Sequence, residues 1–156
     1  MKLLLPLKHY DEQGRVKPLV SIICCLAFLC RGYILFILSM SYRQDSTFLL
    51  RLFYPQTHDF YASLAVGLPA FIIVALVVYR DKIWRAERLY YFKLIWPLLL
   101  LSLVADGALH LLMAQQSHWA FSWVIAGTLL IDASWLFYVS RSRYLDVMLG
   151  DWVKKV

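Results

Sequence analysis

Asp106 and His110 stand one helical turn apart in LVADGALHLLMAQQ (103–116), closing a run that is otherwise almost wholly apolar from Leu94 onward. Arg31 lies inside a second apolar block and Asp132 inside a third. A charge at the middle of a hydrophobic helix costs ~2.5–3.5 kcal/mol on insertion scales, and more when isolated. Such groups are expected to face inward and to pair. A guanidinium can meet a carboxylate bidentately, with an imidazole above as a further donor or acceptor. Arg31, Asp106, His110 and Asp132 therefore suit one of two chemistries. One is a structural clasp that fixes helix register. The other is a proton or ion pathway in which Asp132 and His110 carry the charge. A metal site built from Asp106, His110 and Asp132 is disfavoured by the cationic Arg31 in the same place, and no HExxH or CxxC spacing supports one.

The chain around these residues reads as a membrane protein. Its 156 residues are 62% hydrophobic and 17% charged, against roughly 45–50% apolar in soluble domains. The apolar residues gather in blocks that a soluble core of this size could not hide. Cys24, Cys25 and Cys30 all fall inside the first block, which excludes an extracellular disulfide framework and suits buried apolar fillers. The net charge of +6 is not read as a nucleic-acid signal, because position matters more than the sum.

Four spans are expected, at 18–40, 60–79, 94–113 and 121–139, each close to the ~20 residues that cross the hydrocarbon as a helix. Pro18 and Pro97 sit near span starts, where a missing N–H costs little, and Pro69 is expected to kink the second span. The lysines and arginines are distributed unevenly. Thirteen fall in the N-terminal segment, the second loop and the tail; only Arg43 and Arg51 fall in the first loop, and none in the third. The positive-inside rule then predicts both termini and the second loop in the cytoplasm, in a single all-α domain over residues 1–156. The length of the first span and Arg31 within it argue against a cleaved signal peptide.

Depth follows from the rise of ~1.5 Å per residue: Arg31 ~20 Å, Asp106 ~18 Å, His110 ~24 Å and Asp132 ~10 Å above the cytoplasmic edge. Arg31 is thus expected level with Asp106, and Asp132 about two turns lower. Ser102, Asp106 and His110 share one helical stripe, Thr128, Asp132 and Trp135 another, and Ser21, Cys24, Ala27 and Arg31 a third. Ser63 and Gly67 mark the second span as a packing helix. Segments 46–55, 81–93 and 144–155 have the composition of short amphipathic interfacial helices, although an aromatic belt with snorkelling cations explains them more simply. His58 and Asp59 are expected in water.

YDEQGRVKPL (10–19), FLCRGY (28–33), LRLFYP (50–55) and FYASLAVGLPA (60–70) together resemble the YfeZ-like family of small inner-membrane proteins of Gram-negative bacteria, a domain of unknown function. The likeness covers nearly the whole chain and is strongest from Tyr10 to Ala70. The chain departs from the pattern at Val16 and Leu19, where leucine and a second proline are expected. The resemblance implies a bacterial inner-membrane location and brings no catalytic residues.

No Gly-rich phosphate loop, nucleophile elbow or nucleotide motif occurs, so neither enzymatic activity nor a cofactor is expected. The expected function is that of an accessory protein acting through protein partners, lipids of the bilayer or a homo-oligomer. The alternative is a small proton-coupled transporter or channel working as a homo-oligomer.

Overall fold

The computed structural model describes residues 16–41, 53–54, 56–119 and 122–153. The expected turn at Gly14, most of segment 46–55, Arg43, Arg51, Phe121 and the Lys154–Lys155 pair lie outside them. The described residues are helical, with no strand among them. In chain order the helices are α1 (Val20–Leu29), α2 (Arg31–Ser41), α3 (Thr57–Val78), α4 (Arg80–Arg85), a 3-10 segment (Leu89–Leu94), α5 (Ile95–Gln116), α6 (Trp123–Arg141) and α7 (Arg143–Val153).

The helices α3, α5 with its 3-10 lead-in, and α6 are long and apolar enough to cross a membrane. The fold is an all-α membrane bundle. The first span is not one helix as expected: α1 and α2 meet at Cys30 with a bend of 64°. Cys30 takes φ −83°, ψ 7° and donates its N–H to the Leu26 carbonyl, ending α1. No proline or glycine marks that residue. The bend is stabilised by the Arg31 side chain, whose guanidinium donates from Nη1 to the Phe28 carbonyl at 3.2 Å while its Nη2 is held by α5. A break at membrane depth leaves carbonyls that lipid cannot satisfy, so something in the protein must take them up. The bend also resets the buried face. Ile22, Cys25, Leu26 and Leu29 point inward, whereas Cys24 and Ala27 of the expected stripe point outward. Of the three cysteines only Cys25 is buried.

Pro69 sits within α3 without ending it, and Pro97 occupies the first turn of α5. The link from α4 to the 3-10 segment closes as a Schellman turn. Arg88 N–H reaches back to Ile83 O, Glu87 N–H bonds Trp84 O, and Glu87 takes φ 53°. The link after α5 repeats the pattern: Trp119 N–H bonds Ala114 O, His118 N–H bonds Gln115 O, and His118 takes φ 51°. Neither turn has the glycine that usually fills this position.

Packing runs α3 on α5 and α5 on α6, with α1 and α2 laid against α3. The apolar window of α6 is only 11% buried, so most of its surface faces outward. Buried apolar residues form two clusters. The smaller joins Tyr54, Phe60, Leu109 and Met113. The larger runs from Leu29, Ala70 and Leu103 to Phe92, Leu145, Met148 and Trp152. The aromatic residues of 81–93 and 144–155 do not form a simple belt. Trp152 and Phe92 are fully buried, their ring centroids 5.3 Å apart, and Trp84 lies 5.9 Å from each. The amphipathic α7 lays Leu145, Met148, Leu149 and Trp152 against the 3-10 segment and Val16. Trp152 Nε1 donates to Val16 O at 2.8 Å, and Val16 N–H donates to Asp151 Oδ2 at 3.0 Å. An inward-facing aromatic cluster forms here because this end has water to escape from, unlike the lipid face.

Replacing Trp152 by Ala is expected to cost ~3–5 kcal/mol and to release α7. Limited proteolysis in detergent is the measurement: cleavage within 143–153 should quicken sharply in the variant, and equal rates would reject this packing role.

Candidate functional site

The polar site lies between the two apolar clusters. Asp106 and His110 fall on the inner stripe of α5, four residues apart, with Ser102 a turn below; the three are 4%, 3% and 0% exposed. Arg31 reaches them from the first residue of α2. Its Nη2 is 2.9 Å from both Asp106 Oδ1 and Oδ2 and 3.0 Å from His110 Nε2. The pairing is therefore not the two-nitrogen fork that was expected. One nitrogen serves carboxylate and imidazole together, which frees Nη1 for the Phe28 carbonyl. The Phe28 ring covers the guanidinium at 4.5 Å, a cation–π contact in a desolvated place.

His110 Nδ1 lies 2.8 Å from the backbone oxygen of Asp106. A carbonyl can only accept, so Nδ1 carries the hydrogen and Nε2 is left to accept from Arg31. The contacts of 2.8 to 3.0 Å in the triad then each pair a donor with an acceptor, the two Nη2 hydrogens being shared among three acceptors. The cationic guanidinium also lies at the carbonyl end of α1, where the helix dipole favours positive charge.

Asp132 is placed differently from the expectation. It is buried at 6% exposure, but among the described residues no ion pair joins it to Arg31. Its Oδ2 lies 2.7 Å from where a Cβ on residue 107 would stand. Asp132 is therefore beside the residue next to Asp106, not about two turns below it. Its depth follows from the packing of α6 on α5 and not from its distance to the span end. The register of α6 is set by the notch at Gly107 and, lower down, by the 2.8 Å hydrogen bond between Tyr138 and Ser21. Asp132 Oδ1 is buried without a hydrogen-bond partner among the described residues.

Other residues support the site. Gly32, next to Arg31, lets α2 close on α3, since a Cβ there would stand 2.7 Å from Ser63 Oγ. Ser63 Oγ is itself buried and without a hydrogen-bond partner among the described residues. Tyr33 donates to Leu64 O at 2.7 Å, and Gly67 sits under the Tyr33 ring. Asp59 was expected in water and is instead 5% exposed, 3.1 Å from the exposed His58 and within electrostatic reach of His110. Its place in the first turn of α3 was the available signal, because a span starting at Thr57 draws it inside. Among the described residues, no three His, Cys, Asp or Glu side chains converge as a metal-binding group.

The sequence compares with known proteins as follows. The pattern of the family described as "Protein of unknown function (DUF2919)" matches residues 5–151, so the chain belongs to that family. It is 33% identical over 87 residues to "Inner membrane protein YfeZ" of Escherichia coli (strain K12). That stretch covers 56% of this chain and 58% of the relative, less than two thirds of its length. No solved structure matches the chain.

Two measurements test the site. In a double-mutant cycle of Arg31→Leu and Asp106→Leu, followed by detergent melting, the pair should deviate from additivity by ~0.5–3 kcal/mol; additive losses would reject direct pairing. Gly107→Ala should cost ~1–3 kcal/mol through overpacking against Asp132. Most of that loss should vanish in an Asp132→Ala background, and an equal loss in both backgrounds would contradict the notch.

Proposed function

We propose that this member of the family is a non-enzymatic accessory protein of the bacterial inner membrane, which acts through the proteins and lipids that meet its basic end. The observation that carries the reading is a cluster of exposed cations at one end of the described residues. Lys82, Arg85, Arg88, Lys93, Arg141 and Arg143 are all exposed at the end where α4, the 3-10 segment and α7 assemble. Among the described residues, only Asp81, Glu87 and Asp146 are exposed acids there. Such a face suits acidic partners and anionic headgroups. The lysine and arginine distribution turns this end, and with it both chain termini, toward the cytoplasm. The mutual pairing of Arg31, Asp106 and His110 fits a fastening role better than turnover, since each close contact already has its complement.

The test is chemical cross-linking in native membranes, comparing the chain with an Arg85→Glu, Lys93→Glu, Arg141→Glu variant. The variant should melt like the parent and lose most of the parent's cross-linked adducts. Undiminished adducts would reject the basic end as the contact face. Fluorescence of a C-terminal green fluorescent protein fusion should report a cytoplasmic terminus, and activity of a C-terminal alkaline phosphatase fusion would contradict it.

One observation favours a second reading, proton transfer through Asp132 and His110 in a homo-oligomer: the buried Oδ1 of Asp132, without a hydrogen-bond partner among the described residues. Reconstituted vesicles loaded with a pH-sensitive dye separate the two. This reading expects a flux that Asp132→Asn abolishes; a flux that survives the substitution, or no flux from the parent chain, rejects it.

A further inference from the structure

Where α3 leaves the apolar region, a groove of about 430 Å³ opens between its last turn and the α4 connection, lined by Leu76, Lys82, Ile83, Ala86, Arg88 and Tyr91. Its composition is divided. Leu76 lies two residues before the end of the spanning helix and, with Ile83 and Ala86, gives an apolar wall. Lys82 and Arg88 are exposed cations on the other side, and no acidic residue lines the groove. The two cations are held together by the backbone. The Schellman turn at 86–88 folds the chain back beneath α4, with Arg88 N–H on Ile83 O at 3.2 Å, so that Arg88 returns beside the turn carrying Lys82. The Lys82 ammonium rests 5.1 Å from the Tyr79 ring centre, at the exit of α3.

The geometry points to a binding site for one anionic phospholipid, with its phosphate between Lys82 and Arg88 and an acyl chain descending past Ile83 and Leu76. Three features select this occupant. The groove begins in the apolar span and ends among cations, the order in which a phospholipid presents tail and headgroup. Two cations without a lining carboxylate complement a phosphate. Basic pockets beside membrane helices at the cytoplasmic edge are recurrent anionic-headgroup sites. A zwitterionic lipid would set a choline cation against the same two charges. The inference rests on the reading of the basic end as a contact face and names a lipid ligand for it.

The experiment is native mass spectrometry of the full chain in neutral detergent, titrated with phosphatidylglycerol. One lipid should be retained per chain, with phosphatidylcholine and inorganic phosphate failing to displace it. A Lys82→Ala, Arg88→Ala variant should bind roughly 30-fold more weakly. An Arg141→Ala, Arg143→Ala variant, altered at the same end outside the groove, should bind like the parent. Ala86→Trp fills the groove without changing charge and should also lose the lipid. Equal losses in both double variants, retention by Ala86→Trp, or full displacement by inorganic phosphate or phosphatidylcholine would each overturn the site. These results are independent of the cross-linking test. If the groove variants bind normally while the adducts depend on Arg85, Lys93 and Arg141, the lipid site fails and the contact face stands.

Discussion

The guanidinium of Arg31 does three things that no other group in the bundle does together. It neutralises Asp106, donates to His110 Nε2, and takes up a carbonyl left by the end of α1. In water an ion pair of this kind is weak evidence for stability, because desolvation offsets the attraction. Within lipid the alternatives are worse, since neither the charges nor the freed carbonyl have solvent to return to. The bent first span and the carboxylate on α5 therefore depend on each other. Without the arginine, the break at Cys30 would expose unsatisfied backbone. Without the break, the side chain could not serve both helices from one position.

One end of the molecule is built on different physics from its middle. Between the helices close approach is set by small residues: Gly32 against Ser63, Gly107 against Asp132. At the end formed by α4, the 3-10 segment and α7, the ordinary hydrophobic effect operates, and Trp152, Phe92 and Trp84 cluster as they would in a soluble core. The exposed cations ring this cluster without being part of it. A rigid base of this kind holds the charges in fixed relation, which loose snorkelling side chains along an aromatic belt would not.

Much of the architecture was legible because hydropathy and helix length are one-dimensional properties. Thr57–Val78 and Ile95–Gln116 lie within a few residues of the expected second and third spans. The stripe of Ser102, Asp106 and His110 was legible for the same reason, since periodicity within one helix needs no partner. What escaped depends on contacts between helices. The bend at Cys30 has no proline or glycine of its own and exists because Arg31 can close it. The depth of Asp132 follows from the notch at Gly107, not from its distance to a span end. Asp59 changes from solvent to interior because α3 begins three residues earlier than hydropathy suggested. The two turns after α4 and α5 adopt left-handed residues at Glu87 and His118, so the usual glycine signal was missing.

The hydrogen bonds from Val16 to Asp151 and from Trp152 to Val16 span 135 and 136 residues of chain. Ribosomes release a polypeptide from its N-terminus, and insertion into the bilayer proceeds in that order. The Val16 peptide groups at the entry to the first crossing therefore wait for their partners until α7 has been translated. Val16 and α7 therefore become neighbours only after the crossings between them have been made.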